Sequence, residues 1–146
     1  MTARIISGLF ALLLVVPAHA VTVMTTIKPL QLIAAGLIAE DDQLDVLLPP
    51  GASPHSYALK PSDIRALDQA DITVWVGPEL ELFLNKLLAE KPSVLTLSQV
   101  EGMPLRDFDG DHGHHGHDHG SHNVDPHLWL GPDTTRVAAQ AITAAL

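Results

Sequence analysis

The stretch "VTVMTTIKPLQLIAAGLIAE", residues 21–40, decides the fold. Its first seven residues are apolar or β-branched and read as a strand, and Pro29 then suits the first turn of a helix through "LQLIAAGLIAE". That is one βα unit, and the pattern repeats downstream. "LDVLL" (44–48) reads as a second strand, followed by the loop "PPGASPHSYAL" and a helix from about Lys60-Pro61-Ser62 with Ile64 and Leu67 on one face. "DITVWV" (71–76) is a third strand, 78–90 a helix carrying Leu80, Phe83, Leu84 and Leu87 at helical spacing, and "SVLTL" (93–97) a fourth strand. A last helix starts at Pro132, with Val137, Ala138, Ala141, Ile142 and Ala145 as its apolar stripe. Apolar strands separated by helices pair in parallel, so the expected class is α/β: a four-stranded, mainly parallel sheet flanked by helices. Ligands of such sheets gather beyond the carboxyl ends of the strands. His55 follows strand two and a histidine cluster follows strand four, so both are expected at that edge.

The chain has 146 residues, room for one core. Its 8 Lys and Arg against 17 Asp and Glu give a net charge of -9, with no basic cluster, which argues against nucleic acid or an anionic membrane as partner and favours a cation. With no cysteine, disulfides, thiolate metal sites and a Cys nucleophile are excluded, so any metal must sit on nitrogen and oxygen. At the start, Arg4, an apolar run from Ile5 to Val16 and the ending Ala18-His19-Ala20 read as a secretory signal peptide over residues 1–20, the run being too short to span a bilayer. Residues 132–146 read as a helix without a Gly cap, a basic last turn or a Pro, as if cut short.

The segment 107–125 interleaves His112, His114, His115, His117, His119 and His122 with aspartates and glycines. Imidazole is a good ligand for zinc, copper and nickel, but nothing in this composition imposes a geometry, so the segment is expected to be a loop that collects metal loosely. The bland alternative is a low-complexity tract with no role. His127 differs in kind: in "DPHLWLGP" it is enclosed by Pro126, Leu128, Trp129 and Leu130 and belongs on an ordered segment. A histidine in such company is more often a hydrogen-bonded core residue than a ligand. His55, in "GASPHSY", sits on a loop stiffened by Pro50, Gly51 and Pro54, where Ser53 or Ser56 could orient its ring. Two histidines on stiff segments at one sheet edge strengthen the metal reading for both. Glu79 and Glu81 are expected to stabilise the first turn of the helix after strand three through its dipole, and Trp75, Trp129 and Tyr57 to form core and wall. No P-loop, G-x-S-x-G or H-E-x-x-H occurs, so the ordinary nucleotide and hydrolase signatures are absent.

The segments "LLPPGASPHSYALKPSDIRALDQADITVWVGPELE", the His/Asp loop and "DPHLWLGP" together resemble the ZnuA-like periplasmic zinc-binding proteins of bacterial ABC uptake systems, members of the metal-specific solute-binding proteins. The resemblance implies two α/β lobes joined by a long helix, with metal held in the cleft. It implies further that 21–131 is the first, metal-binding lobe, that 132–146 opens the linking helix, and that His55 and His127 are first-lobe ligands of Zn2+. The histidine loop looks like the insertion that collects or senses metal. Pro54 stands where some relatives carry an acidic residue, which leaves the site short of a carboxylate.

The expected function is the periplasmic zinc-binding component of an ABC importer, with zinc as cargo, a membrane permease as partner, no nucleic acid, a monomeric state and no bond chemistry. The alternative is a periplasmic zinc buffer or chaperone acting through its His-rich loop. A zinc hydrolase would need a general base near the metal, and no ordered Asp or Glu presents itself for that role. Two imidazoles leave two positions of zinc's tetrahedron open, so weak, labile binding and exposed apolar surface are expected.

Overall fold

The structure, a computed structural model, describes residues 20–107 and 124–146. The signal-peptide assignment and the six loop histidines fall outside the described residues. Four parallel strands form the central sheet: β1 (Thr22–Thr25), β2 (Gln43–Val46), β3 (Ile72–Trp75) and β4 (Val94–Thr96), in the order β2-β1-β3-β4. All three pairings are parallel, with Val23 facing Leu44 on one side and Ile72 on the other. Among the described residues four α-helices accompany them: α1 (Lys28–Ala34), α2 (Pro61–Gln69), α3 (Asn85–Leu88) and α4 (Pro132–Ala145). With the right-handed crossovers such units adopt, α1 and α2 cover opposite faces, because β1 to β2 and β2 to β3 step in opposite directions across the sheet. α4 packs on α1 and β4.

The central strands β1 and β3 form where apolar and β-branched residues are buried on both faces, while the edge strands β2 and β4 are half-buried. Every residue of β3 is buried, and Val23, Val74 and Val76 are fully so. Side chains hold the amino ends in register: Asp42 accepts from the Val21 amide at 2.8 Å, and Asp71 accepts from the Thr22 amide at 2.8 Å. α4 buries Thr134, Ala138 and Ile142, so the stripe expected there is correct at Ala138 and Ile142 but not at the exposed Ala145.

Two helices differ from the sequence reading. α1 stops at Ala34, because Leu37 bonds back to the Ala34 carbonyl at 2.8 Å and Asp42 takes the Ala39 amide at 2.9 Å, which turns the chain toward β2. The helix expected over 78–90 is largely absent: residues 77–81 form a turn, Leu82–Leu84 a single 3-10 turn, and only Asn85–Leu88 is α-helical. Gly77 at φ 148 and the inward carboxylate of Glu81 redirect the chain before a helix can start. Leu80 and Leu84 still reach the core, as expected, whereas Ile64 of α2 is exposed.

A small antiparallel pair, absent from the sequence reading, joins β5 (Arg106–Asp107) to β6 (Val124–Asp125). It clamps together the two ends of the His/Asp-rich segment. A 3-10 turn at Leu128–Leu130 follows and leads into α4.

Candidate metal centre

The strand order 2-1-3-4 places a topological switch between β1 and β3, where crossovers diverge and a crevice opens at the carboxyl ends. His55 stands on the loop leaving β2. Gly51 there has φ 83, a left-handed conformation that glycine adopts at no steric cost, and Pro49, Pro50 and Pro54 restrict the rest of the loop. Ser53 Oγ accepts from the backbone amide of His55 at 3.3 Å and the Ser56 amide donates to the Ser53 carbonyl at 3.3 Å, so this serine shapes the loop backbone. The exposed imidazole projects from a bend that is locally braced.

His127 is reached from the opposite direction in sequence. It opens the 3-10 turn at Leu128–Leu130, and the buried Thr134 hydroxyl holds that turn by sharing its one proton between the carbonyls of Leu128 and Gly131. Asp125, two residues back across Pro126, accepts from the His127 backbone amide at 3.0 Å and meets the ring nitrogen Nδ1 at 2.6 Å. The His127 amide, then the His127 ring, and lastly the charge of Arg106 hold the Asp125 carboxyl below the usual carboxylate range. An ionised carboxylate only accepts, so the proton of a neutral His127 ring sits on Nδ1 and Nε2 keeps its lone pair. Trp129 packs edge-on against the same ring, centroids 5.3 Å apart, and limits its rotation.

The two rings meet. The His55 and His127 centroids are 6.0 Å apart, with planes inclined by 59°. A zinc–nitrogen bond of about 2.0–2.1 Å puts an imidazole centre about 3.2 Å from the ion, so two rings on one tetrahedral ion lie about 5.2 Å apart and on a linear one about 6.4 Å. The observed 6.0 Å lies between these limits, roughly 1 Å wider than a tetrahedral pair. Among the described residues no group of three or more His, Asp and Glu is arranged to hold a metal, so this is a two-imidazole arrangement. Beside it opens a cleft of about 530 Å3, apolar for the most part and walled by Ile27, Leu48, Pro49, Pro54 and Trp129.

Sequence reasoning missed two residues. Asp125 carried a signal in the D-P-H spacing, which sets a carboxylate two residues from an imidazole across a rigid proline. Glu81, assigned to a helix first turn, is fully buried in the turn after β3. Glu79, assigned likewise, is exposed and accepts from Ser98 Oγ at 3.0 Å. Trp75 is core, with its indole N–H on Thr96 at 2.8 Å, and half-buried Trp129 walls the cleft, as expected, whereas half-buried Tyr57 packs on Phe83 and does not line that cleft.

Known proteins share this architecture. The high-affinity zinc uptake system protein ZnuA of Yersinia pestis is 39% identical over 155 residues, covering 90% of this chain and 48% of its own. The chain thus spans about half the length of that relative. Among solved structures, a ZnuA deletion mutant with zinc bound superposes with a TM-score of 0.65 at 26% identity, over 85% of this chain and 45% of that one. The periplasmic zinc-binding protein TroA of Treponema pallidum shares the fold with a TM-score of 0.68 at 22% identity, over 85% and 42% respectively. The family model described as zinc-uptake complex component A, periplasmic (ZnuA) matches residues 23–146, and the chain belongs to that family.

Proposed function

We propose that this chain captures zinc for uptake, with His55 and His127 gripping the ion and handing it to the membrane permease of an ABC importer. The observation that carries this reading is the 6.0 Å approach of two rings from loops far apart in sequence, at the ligand edge of a parallel sheet. Zinc is cargo here, held and released with no bond made or broken. Residues 1–20 act as the export signal, and the protein works in the periplasm as a monomer. Two imidazoles supply half of zinc's preferred tetrahedron, and water or other donors supply the rest.

Isothermal titration tests this with the whole chain, a form lacking residues 110–122, and His55→Ala/His127→Ala in each. The form without 110–122 is expected to bind one zinc per chain in the micromolar range and to lose it on double substitution. Nanomolar affinity in that form would contradict a site with only two protein donors. A periplasmic zinc buffer acting through the six loop histidines is the competing reading: it predicts that the doubly substituted whole chain keeps its tightest zinc.

A further inference from the structure

Glu81 is buried at the head of β3, where its Oε2 accepts from the amides of Val76 at 2.9 Å and Gly77 at 3.4 Å. Its second oxygen, Oε1, and the hydroxyl of Thr26, at the head of β1, are both buried without completing a hydrogen bond. The carboxyl therefore straddles the switch point between β1 and β3. Burial pushes its pKa up to about 7, against smaller opposing contributions from Thr26 and the Gly77 and Val76 amides. Among the described residues no cation offsets the burial. β1 and β3 carry no ionisable side chain; Lys28 of α1 donates to Gln31, Lys86 of α3 is exposed, and Glu79 of the same turn is exposed on Ser98.

The turn that Glu81 closes also delivers Phe83. The Phe83 ring meets Tyr57 edge-on, centroids 5.8 Å apart, and the Tyr57 hydroxyl donates to Asp63 Oδ2 at 3.0 Å. Tyr57 is two residues from His55, and Asp63, which also accepts the Lys60 amide at 2.9 Å, lies in the first turn of α2. A line of contacts thus runs from the head of β3 to the far end of the His55 loop.

We propose that Glu81 is a positioning residue for the His55 loop: its carboxyl staples the 77–81 turn to the head of β3, and Phe83 and Tyr57 pass that constraint to residues 55–60. The loop and the turn then open together, as one cooperative unit. A group titrating near 4.5 when open and about 7 when closed favours closure most below 4.5 and loses that advantage as pH rises through 7. Between pH 6 and 8 the opening constant then rises about tenfold. The inference rests on the zinc reading only in giving His55 a ligand's task.

Amide hydrogen exchange on the zinc-free chain at pH 6 and pH 8, corrected for intrinsic rates, reads the loop directly through the bonded amides of His55, Ser56 and Lys60. Wild type is expected to lose about tenfold in protection there at pH 8. Glu81→Gln keeps an acceptor for the two amides and cannot ionise, so it should hold protection constant to within about twofold, while Glu81→Ala loosens the loop at both values. If Glu81→Ala does not fold, the Gln variant decides alone. Loop protection in wild type that is equal at both pH values, or a pH response that survives in Glu81→Gln, overturns the proposal. A zinc titration run alongside keeps the two readings separate: His55→Ala without effect on zinc sinks the metal reading and leaves the exchange result standing.

Discussion

Asp125 does for His127 what no feature of the ring itself could do. By taking the Nδ1 proton and the backbone amide together it fixes tautomer and orientation, and the Nε2 lone pair is then ready for a cation. Asp125→Asn, which weakens that acceptor, is expected to cost about 10–100-fold in zinc affinity with little change in stability, checked by isothermal titration beside a urea melt. Glu81 sets the other single-residue expectation. Since its folded pKa of about 7 is raised from 4.5, its contribution to stability is intact below pH 4.5 and is lost as pH climbs through 7. Thermal unfolding of Glu81→Gln should therefore gain on wild type between pH 6 and 8 and match it near pH 5. The task of Glu81 was not legible in the sequence, and that of Asp125 left only the D-P-H spacing as its signal. A carboxylate in a loop and one beside a proline look alike until the backbone shows which turns inward.

At the scale of elements, the strands were legible and the third helix was not. Four apolar, β-branched runs can bury both faces only in a parallel sheet, so periodicity alone was enough to assign them. Residues 78–90 have helical spacing too, yet hydrogen bonds that periodicity cannot register, from Val76 and Gly77 to Glu81, turn the chain first. Gly77 is the hinge of that turn. At its φ of 148 an added Cβ would stand 2.2 Å from Ser98 Oγ and 2.6 Å from Glu79 Oε2, so Gly77→Ala should destabilise by about 1–3 kcal/mol or more in urea. Gly51→Ala, with φ 83 but nothing within 4 Å of the added atom, should cost only about 1 kcal/mol. The turn after His127 depends on Thr134, whose buried hydroxyl serves two carbonyls. Thr134→Val is expected to lose about 1–3 kcal/mol and to weaken zinc binding as His127 loses its support.

For the whole molecule, the sheet edge that carries the candidate site was legible before the arrangement of its side chains. The rule that ligands gather at the carboxyl edge brought His55 and the histidine segment to one side, and the fold sets His55 and His127 side by side there. What a sequence could not supply is the distance: only packed loops, one braced by Gly51 and prolines and one by Asp125, Trp129 and Thr134, set the two rings 6.0 Å apart. The antiparallel pair of β5 and β6 sets Arg106 and Asp107 against Asp125 and Val124, just ahead of His127. The most direct measurement is zinc K-edge X-ray absorption on the chain lacking residues 110–122, loaded with one equivalent of zinc. Two imidazole ligands at about 2.0–2.1 Å, falling to one in either His55→Ala or His127→Ala, is the result expected. An imidazole count unchanged by those substitutions would contradict a shared ion between the two rings.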